Sequence, residues 1–159
     1  MLVVQCLLLL TIANGAPLVA RSLLGKELAC PLDAGKRLWD GNPLFGPSKT
    51  VRGIIASVVA TSIGAVLLGL PLGTGTLIGI FAMLGDLASS FLKRRMAIAP
   101  SGMALGLDQI PEALFPLLVI RSQLDLSWIM VIEVVAAFVA VELLLSRLLF
   151  RLNIRDRPY

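Results

Sequence analysis

Residues 51–70 constrain the fold more than any other stretch. Beyond Arg52 at its entry, this run carries only Ser57, Thr61 and Ser62 as polar side chains. About 20 apolar residues are what a helix needs to cross the hydrocarbon core of a bilayer. In lipid each unpaired backbone N–H or C=O costs several kcal/mol, so the run must satisfy its own backbone as a helix. Four further apolar stretches accompany it. The first is 2–24, interrupted by Asn14-Gly15-Ala16-Pro17. The others are 74–92 with Asp86 inside, a shorter 105–120 that opens with Asp108, Pro111 and Glu112, and 127–150 with Glu133 and Glu142. Hydrophobic residues make up 57% of the 159 and charged residues 15%, against roughly a quarter charged in soluble domains. The expectation is one all-α, polytopic membrane domain over residues 1–159, with about five transmembrane helices.

The basic residues orient that domain. Five crossings put the termini on opposite sides. With the N-terminus outside, the inner side receives Arg21, Lys26, Lys36, Arg37, Lys49 and Arg52, then Lys93, Arg94 and Arg95, then Arg147, Arg151, Arg155 and Arg157. Arg121 alone falls outside. The positive-inside bias therefore predicts N-out, C-in. The first stretch reads as a span rather than a signal peptide, because it lacks a basic n-region and a small-residue cleavage site. Both long links, 25–50 and 93–107, then face the cytoplasm, and chemistry is expected there. Trp39 and Trp128 suit the membrane–water interface.

Composition removes several chemistries. The chain has no histidine, which excludes His general bases, His-ligated metals and Ser-His or Cys-His nucleophiles. Cys6 and Cys30 cannot make a disulfide framework or a zinc site. The net charge of +4 is too small and scattered to indicate a nucleic-acid partner.

Charges inside a span are costly and are usually functional or paired. Asp86 lies seven residues before Lys93, about 10 Å into its helix at 1.5 Å per residue. Asp108 and Glu112 share a face if the helix already runs there, whereas a start near Pro111 puts Asp108 just before it. Asp86 and Asp108 flank one loop, and two carboxylates with phosphate oxygens and waters suit Mg²⁺; pairing of Asp86 with Lys93 or an Arg inside a small bundle is the plainer alternative. Gly46-Pro47-Ser48-Lys49-Thr50-Val51-Arg52-Gly53 offers cations, hydroxyls and helix-start N–H groups, an anion site in kind, or simply a basic anchor with turn residues. Ser90-Phe91-Leu92-Lys93-Arg94-Arg95 reads equally as a snorkelling stop. Glu133 and Glu142 lie on opposite helix faces and read as structural.

Taken in order, Ser48-Lys49-Thr50-x-Arg52-Gly53, Gly85-Asp86, Ser90-x-Leu92-Lys93-Arg94 and Leu107-Asp108-Gln109 resemble the integral-membrane CTP-transferase superfamily that includes phosphatidate cytidylyltransferases. The early Ala13-Asn14-Gly15-Ala16-Pro17, the Lys36-Arg37 pair and the small size look most like its CDP-archaeol synthase branch. The resemblance implies transfer of a cytidylyl group from CTP to a membrane lipid phosphate, such as 2,3-bis-O-geranylgeranylglycerol 1-phosphate, releasing pyrophosphate. It implies Mg²⁺ held by Asp86 and Asp108. Glu112 stands close to where the branch carries a further Asp and joins that set. Lys49, Arg52, Lys93 and Arg94 are implied to hold the triphosphate, and Ser48, Thr50 and Ser90 to donate hydrogen bonds. Asn14 and Gln109 complete the implied binding set. Two other classes compete on residues alone: an ion-coupled transporter using the intramembrane acids, and a non-catalytic membrane subunit. Neither uses all three cytoplasmic clusters.

Overall fold

A computed structural model describes residues 1–25, 28–99, 102 and 104–151. Lys26, Arg155 and Arg157, assigned above to the inner side, lie outside the described residues. Five helices follow in order: α1 (Leu2–Leu24), α2 (Val51–Leu67), α3 (Leu72–Arg95), α4 (Gln109–Ile120) and α5 (Trp128–Arg151). The described residues hold no strand beyond two isolated antiparallel bridges, Pro31 with Thr50 and Arg37 with Pro43. The all-α expectation holds.

Two details of the helices differ from the sequence reading. α1 runs unbroken through Asn14-Gly15-Ala16-Pro17, with Pro17 inside the helix, so the expected interruption is absent. Proline removes one backbone donor, a loss a packed membrane helix tolerates. Three helices are long and apolar enough to cross a membrane: Leu2–Leu24, Leu72–Arg95 and, within α5, Trp128–Leu148. α2 has 17 residues and α4 only 12. α4 starts at Gln109 because residues 105–108 are turns, and 12 residues rise about 18 Å, well short of a roughly 30 Å core. It is inserted among its neighbours: Glu112, Ala113, Pro116, Leu117 and Ile120 are buried.

The helices close into a ring, each packing on the next, with α5 returning to α1 and α1 also touching α3. Cys6, Leu9, Leu10, Ile78, Leu117, Ile120, Val134 and Phe138 fill the centre. Ile55, Val59, Ile63, Val66, Ile129 and Ile132 are exposed on the outside. In water such a surface would be a liability; against lipid tails it costs nothing.

α3 is held closest. A Cβ on Gly75 would overlap the Thr61 carbonyl, and one on Gly79 would overlap the Thr61 hydroxyl. Gly75-x-x-x-Gly79 thus brings the α2 backbone against α3, the small-residue contact that replaces hydrophobic driving force in lipid. Ser62 and Thr76 add a hydroxyl–hydroxyl bond of 2.8 Å between the two helices. On its other flank Gly85 meets the backbone of Pro111 and Glu112 in α4. Gly85→Ala should therefore force α3 and α4 apart and lower stability by about 1–3 kcal/mol, the usual cost of overpacking. Thermal unfolding of the detergent-solubilised variant measures it.

Candidate active site

One end of the ring carries both long links, and the charged residues gather there. Residues 28–50 of the first link fold around Asp33, which is 5% exposed. Its carboxylate accepts N–H bonds from Gly35 (3.0 Å), Phe45 (3.1 Å) and Gly46 (2.9 Å). Gly46 takes a φ of 101° there, a conformation glycine adopts without steric cost. Backbone bonds Leu32 N–H to Lys49 O (2.8 Å) and Val51 N–H to Cys30 O (3.2 Å) then lay the end of the link beside its beginning. That pairing delivers Ser48, Lys49 and Thr50 to the start of α2.

Thr50 caps α2: its Oγ1 accepts from Gly53 N–H at 3.2 Å, the usual role of an N-cap threonine. Lys49 does not point to solvent as an anchor would. Its Nζ sits 2.6 Å from both carboxylate oxygens of Asp86 on α3. The alternative partner weighed for Asp86, Lys93, goes elsewhere: its Nζ lies 2.6 Å from Asp108 Oδ1 and 3.3 Å from the Gly102 carbonyl. Asp108 stands just before α4, as a helix start near Pro111 predicted. Its second oxygen accepts from Ala104 N–H (3.1 Å), and Gln109 Oε1 accepts from Gly106 N–H (2.9 Å). These two bonds shape the loop that presents Asp108.

Glu112 is 4% exposed. Its backbone lies against Gly85, next to Asp86, and it is within electrostatic reach of Asp86, Glu142, Lys49 and Asp108. Ser90 and Arg94 are buried on α3, and Arg94 Nε has no hydrogen-bond partner among the described residues. Arg94 forms part of the wall of a cleft of about 470 Å³, with Asp33, Arg37, Asn42, Pro47 and Ile98. Ser48 is exposed at the same end.

Two members of the predicted set stand apart from this centre. Arg52 turns back to the α1 end, where Nη1 donates to the Gly25 carbonyl at 3.2 Å. Asn14 is half-buried on α1, about one turn before Pro17, which packs against the Gly53 position. Glu133 is exposed on α5. Two residues escaped the sequence reading. Asp33 had a local signal, since Asp33-Ala34-Gly35 is an Asx-turn pattern. Arg95, read as a basic stop, also binds the 36–44 hairpin through Asp40 (2.6 Å) and the Pro43 carbonyl (2.7 Å); nothing local announces partners more than 50 residues away.

Among the described residues no three of His, Cys, Asp and Glu form a ready metal cage. The donor set nonetheless suits a hard divalent ion. It is carboxylate only, and Mg²⁺ characteristically takes one or two protein carboxylates and completes its shell with phosphate oxygens and water. The centre thus sets cations able to bind phosphates against carboxylates able to bind a divalent ion, at the end of the bundle.

Comparison with known proteins shows the family and the fold. A family model described as CDP-archaeol synthase matches residues 71–159, and a cytidylyltransferase family model matches 34–106. A CDP-archaeol synthase of Saccharolobus islandicus is 35% identical over 124 residues, covering 74% of this chain and 70% of that protein. One from Sulfurisphaera tokodaii is 31% identical over 155 residues, covering 93% and 89%. A solved structure, titled as an intramembrane enzyme for archaeal membrane lipids biosynthesis, superposes with a TM-score of 0.75 at 30% identity, covering 90% of this chain and 91% of that one.

Asp33 makes the link pH-sensitive. Burial pushes its carboxyl up, but the N–H bonds from Gly46, Phe45 and Gly35 outweigh burial and hold it below its ordinary 3.8. A lowered folded value means that the stabilisation is full above the unfolded pKa and is lost as pH falls through the folded one. Hydrogen exchange at Gly35, Phe45 and Gly46, corrected for intrinsic rates, should stay slow down to about pH 4 and accelerate below it. Asp33→Asn should abolish that pH dependence.

Proposed function

The chain belongs to the CDP-archaeol synthase family, and from that premise we propose how its residues divide the work. It is a membrane-embedded, CTP-dependent lipid-phosphate cytidylyltransferase of lipid biosynthesis. Transporter and non-catalytic subunit, the other classes open on residues alone, give way to the enzyme. We propose an ether-linked isoprenoid glycerol phosphate as its lipid substrate, the class its relatives' name indicates, and a site facing the cytoplasm.

In the reaction a phosphate oxygen of the lipid attacks the α-phosphorus of CTP. The new P–O bond forms as the bond to the bridging oxygen of the β-phosphate breaks, and pyrophosphate leaves with that electron pair. The nucleophile arrives ionised, so no general base is needed, consistent with a chain without histidine. Catalysis of this kind rests on positioning and charge neutralisation. Lys49 and Lys93 bind the triphosphate, with Arg94 at the cleft wall. Ser48 and Ser90 donate hydrogen bonds. The Thr50 hydroxyl accepts from Gly53, which leaves its own proton for a phosphate oxygen. Arg52 holds the end of α1 against the start of α2, and so positions Lys49 and Asn14. Gln109 keeps the loop before α4 in shape. Asp86, Asp108 and Glu112 would hold Mg²⁺, whose charge when bound neutralises the phosphates.

One observation carries this reading. Lys49 from the end of the first link meets Asp86 on α3, while Lys93 on α3 meets Asp108 before α4, each at 2.6 Å. Three separate segments thereby bring phosphate-binding and metal-binding groups together. Purified protein with Mg²⁺, labelled CTP and a panel of lipid phosphates tests it. A CDP-lipid should form from the geranylgeranyl ether phosphate and not from phosphatidate; the reverse would overturn the lipid assignment. Asp86→Asn should lower turnover by at least about 100-fold, the scale of losing one preorganised charge-stabilising group, while the protein stays folded. Retained turnover would remove Asp86 from the site. Lys49→Ala should raise the KM for CTP.

A further inference from the structure

Trp39 is 87% exposed, and single exposed apolar residues are common. This one is displayed by a braced structure. Leu38 N–H donates to Asn42 O (3.0 Å), Gly41 N–H to Leu38 O (2.9 Å) and Leu44 N–H to Lys36 O (3.1 Å). Arg37 Nη1 adds a bond to Gly41 O (2.7 Å), and Asp40 accepts from the Asn42 backbone and side chain, each at 3.1 Å. Arg95, in the last turn of the membrane-crossing α3, then pins the hairpin through Asp40, Asn42 and Pro43 while lying over the Phe91 ring at 5.3 Å. The tip is thus tied to the end of a spanning helix, and Trp39 adjoins a tied residue, one Cα step of about 3.8 Å away.

Charge supplies the rest. Lys36 and Arg37 are exposed beside Trp39, and the one acid of the tip, Asp40, is paired with Arg95. The tip therefore presents net positive charge around an indole. That combination matches the surface of a bilayer, where indoles sit at headgroup depth and basic side chains are drawn to anionic lipid.

We propose that the 36–44 hairpin docks on the bilayer surface at the loop-bearing end, with Trp39 in the headgroup–acyl boundary and Lys36 on lipid phosphates. The hairpin also lines the 470 Å³ cleft through Arg37, Asn42 and Pro43. Docking therefore holds that cleft at the height of a lipid substrate's phosphate, a consequence that rests on the cytidylyltransferase reading.

The test uses the full chain in nanodiscs containing anionic lipid. The chain has two tryptophans, so the Trp39 signal is the difference between wild type and Trp39→Phe. That signal should be blue-shifted, protected from acrylamide and quenched by lipids brominated near the headgroup. Emission like that of free indole with full acrylamide quenching overturns the proposal. So does protection from acrylamide without quenching by bromolipid, which would mean that a second copy or another part of the protein covers Trp39. This arm requires no turnover, so it stands or falls separately from the enzymatic reading. In turnover assays Trp39→Ala should raise the KM for lipid phosphate in the bilayer several-fold and leave the KM for CTP unchanged. A change in the CTP value alone would make Trp39 a nucleotide contact and overturn the docking.

Discussion

The backbone contact that α3 makes on both flanks is the constraint on which the rest of the bundle depends. Gly75 and Gly79 admit α2, and Gly85 admits α4. Inside a bilayer, burying apolar side chains against one another gains little over leaving them in lipid, so close packing and hydrogen bonds must hold the helices. Bulkier residues at these three positions would separate the helices and the charged groups they carry. Lys49 reaches Asp86 because α2 starts against α3, and Glu112 lies beside Asp86 because Gly85 lets α4 approach.

The ion pairs follow from that proximity. Both are partly exposed, with side-chain accessibilities of 23% and 27% for Lys49 and Asp86 and 12% and 23% for Lys93 and Asp108. Partly exposed ions pay only part of the desolvation penalty of deep burial, so these pairs are held without being locked away. A site that must take up a highly charged nucleotide needs that balance. The first link is organised differently. Asp33 is nearly buried and spends its carboxylate on three backbone N–H groups, so its role is to shape the link that carries Lys49.

Much of the helical content was legible in the sequence, because a lipid-crossing backbone has one local solution and apolar length reports it. The bounds of α1 were read correctly, but its break was not: Pro17 withdraws one bond and the neighbouring α2 packs over it. The extent of α4 was overestimated because an apolar run tells nothing of turns at its entry; Gln109 and Asp108 bond to the backbone of those turns and delay the helix. Of the candidate residues, Lys49, Asp86, Lys93, Asp108 and Glu112 converge, and Arg94 lies at the neighbouring cleft. Arg52 was grouped with the cations by its closeness in sequence to Lys49, yet the helix turns it toward the α1 end. Lys49 belongs to the link before α2 and Arg52 to its first turn, so the helix start separates the directions of the two side chains.

The sequence by itself determined that this chain lives in a membrane, that its backbone is helical and which residue types could handle a nucleotide's phosphates, because hydropathy, spacing and ordered motifs are local properties. Only the tertiary structure decided who partners whom. Lys49 takes Asp86, Lys93 takes Asp108, and Arg95 at the end of α3 holds a hairpin more than 50 residues earlier in the chain. Electrostatic pairing depends on distances of a few ångströms, and those are set by how closely three glycines let the helices approach.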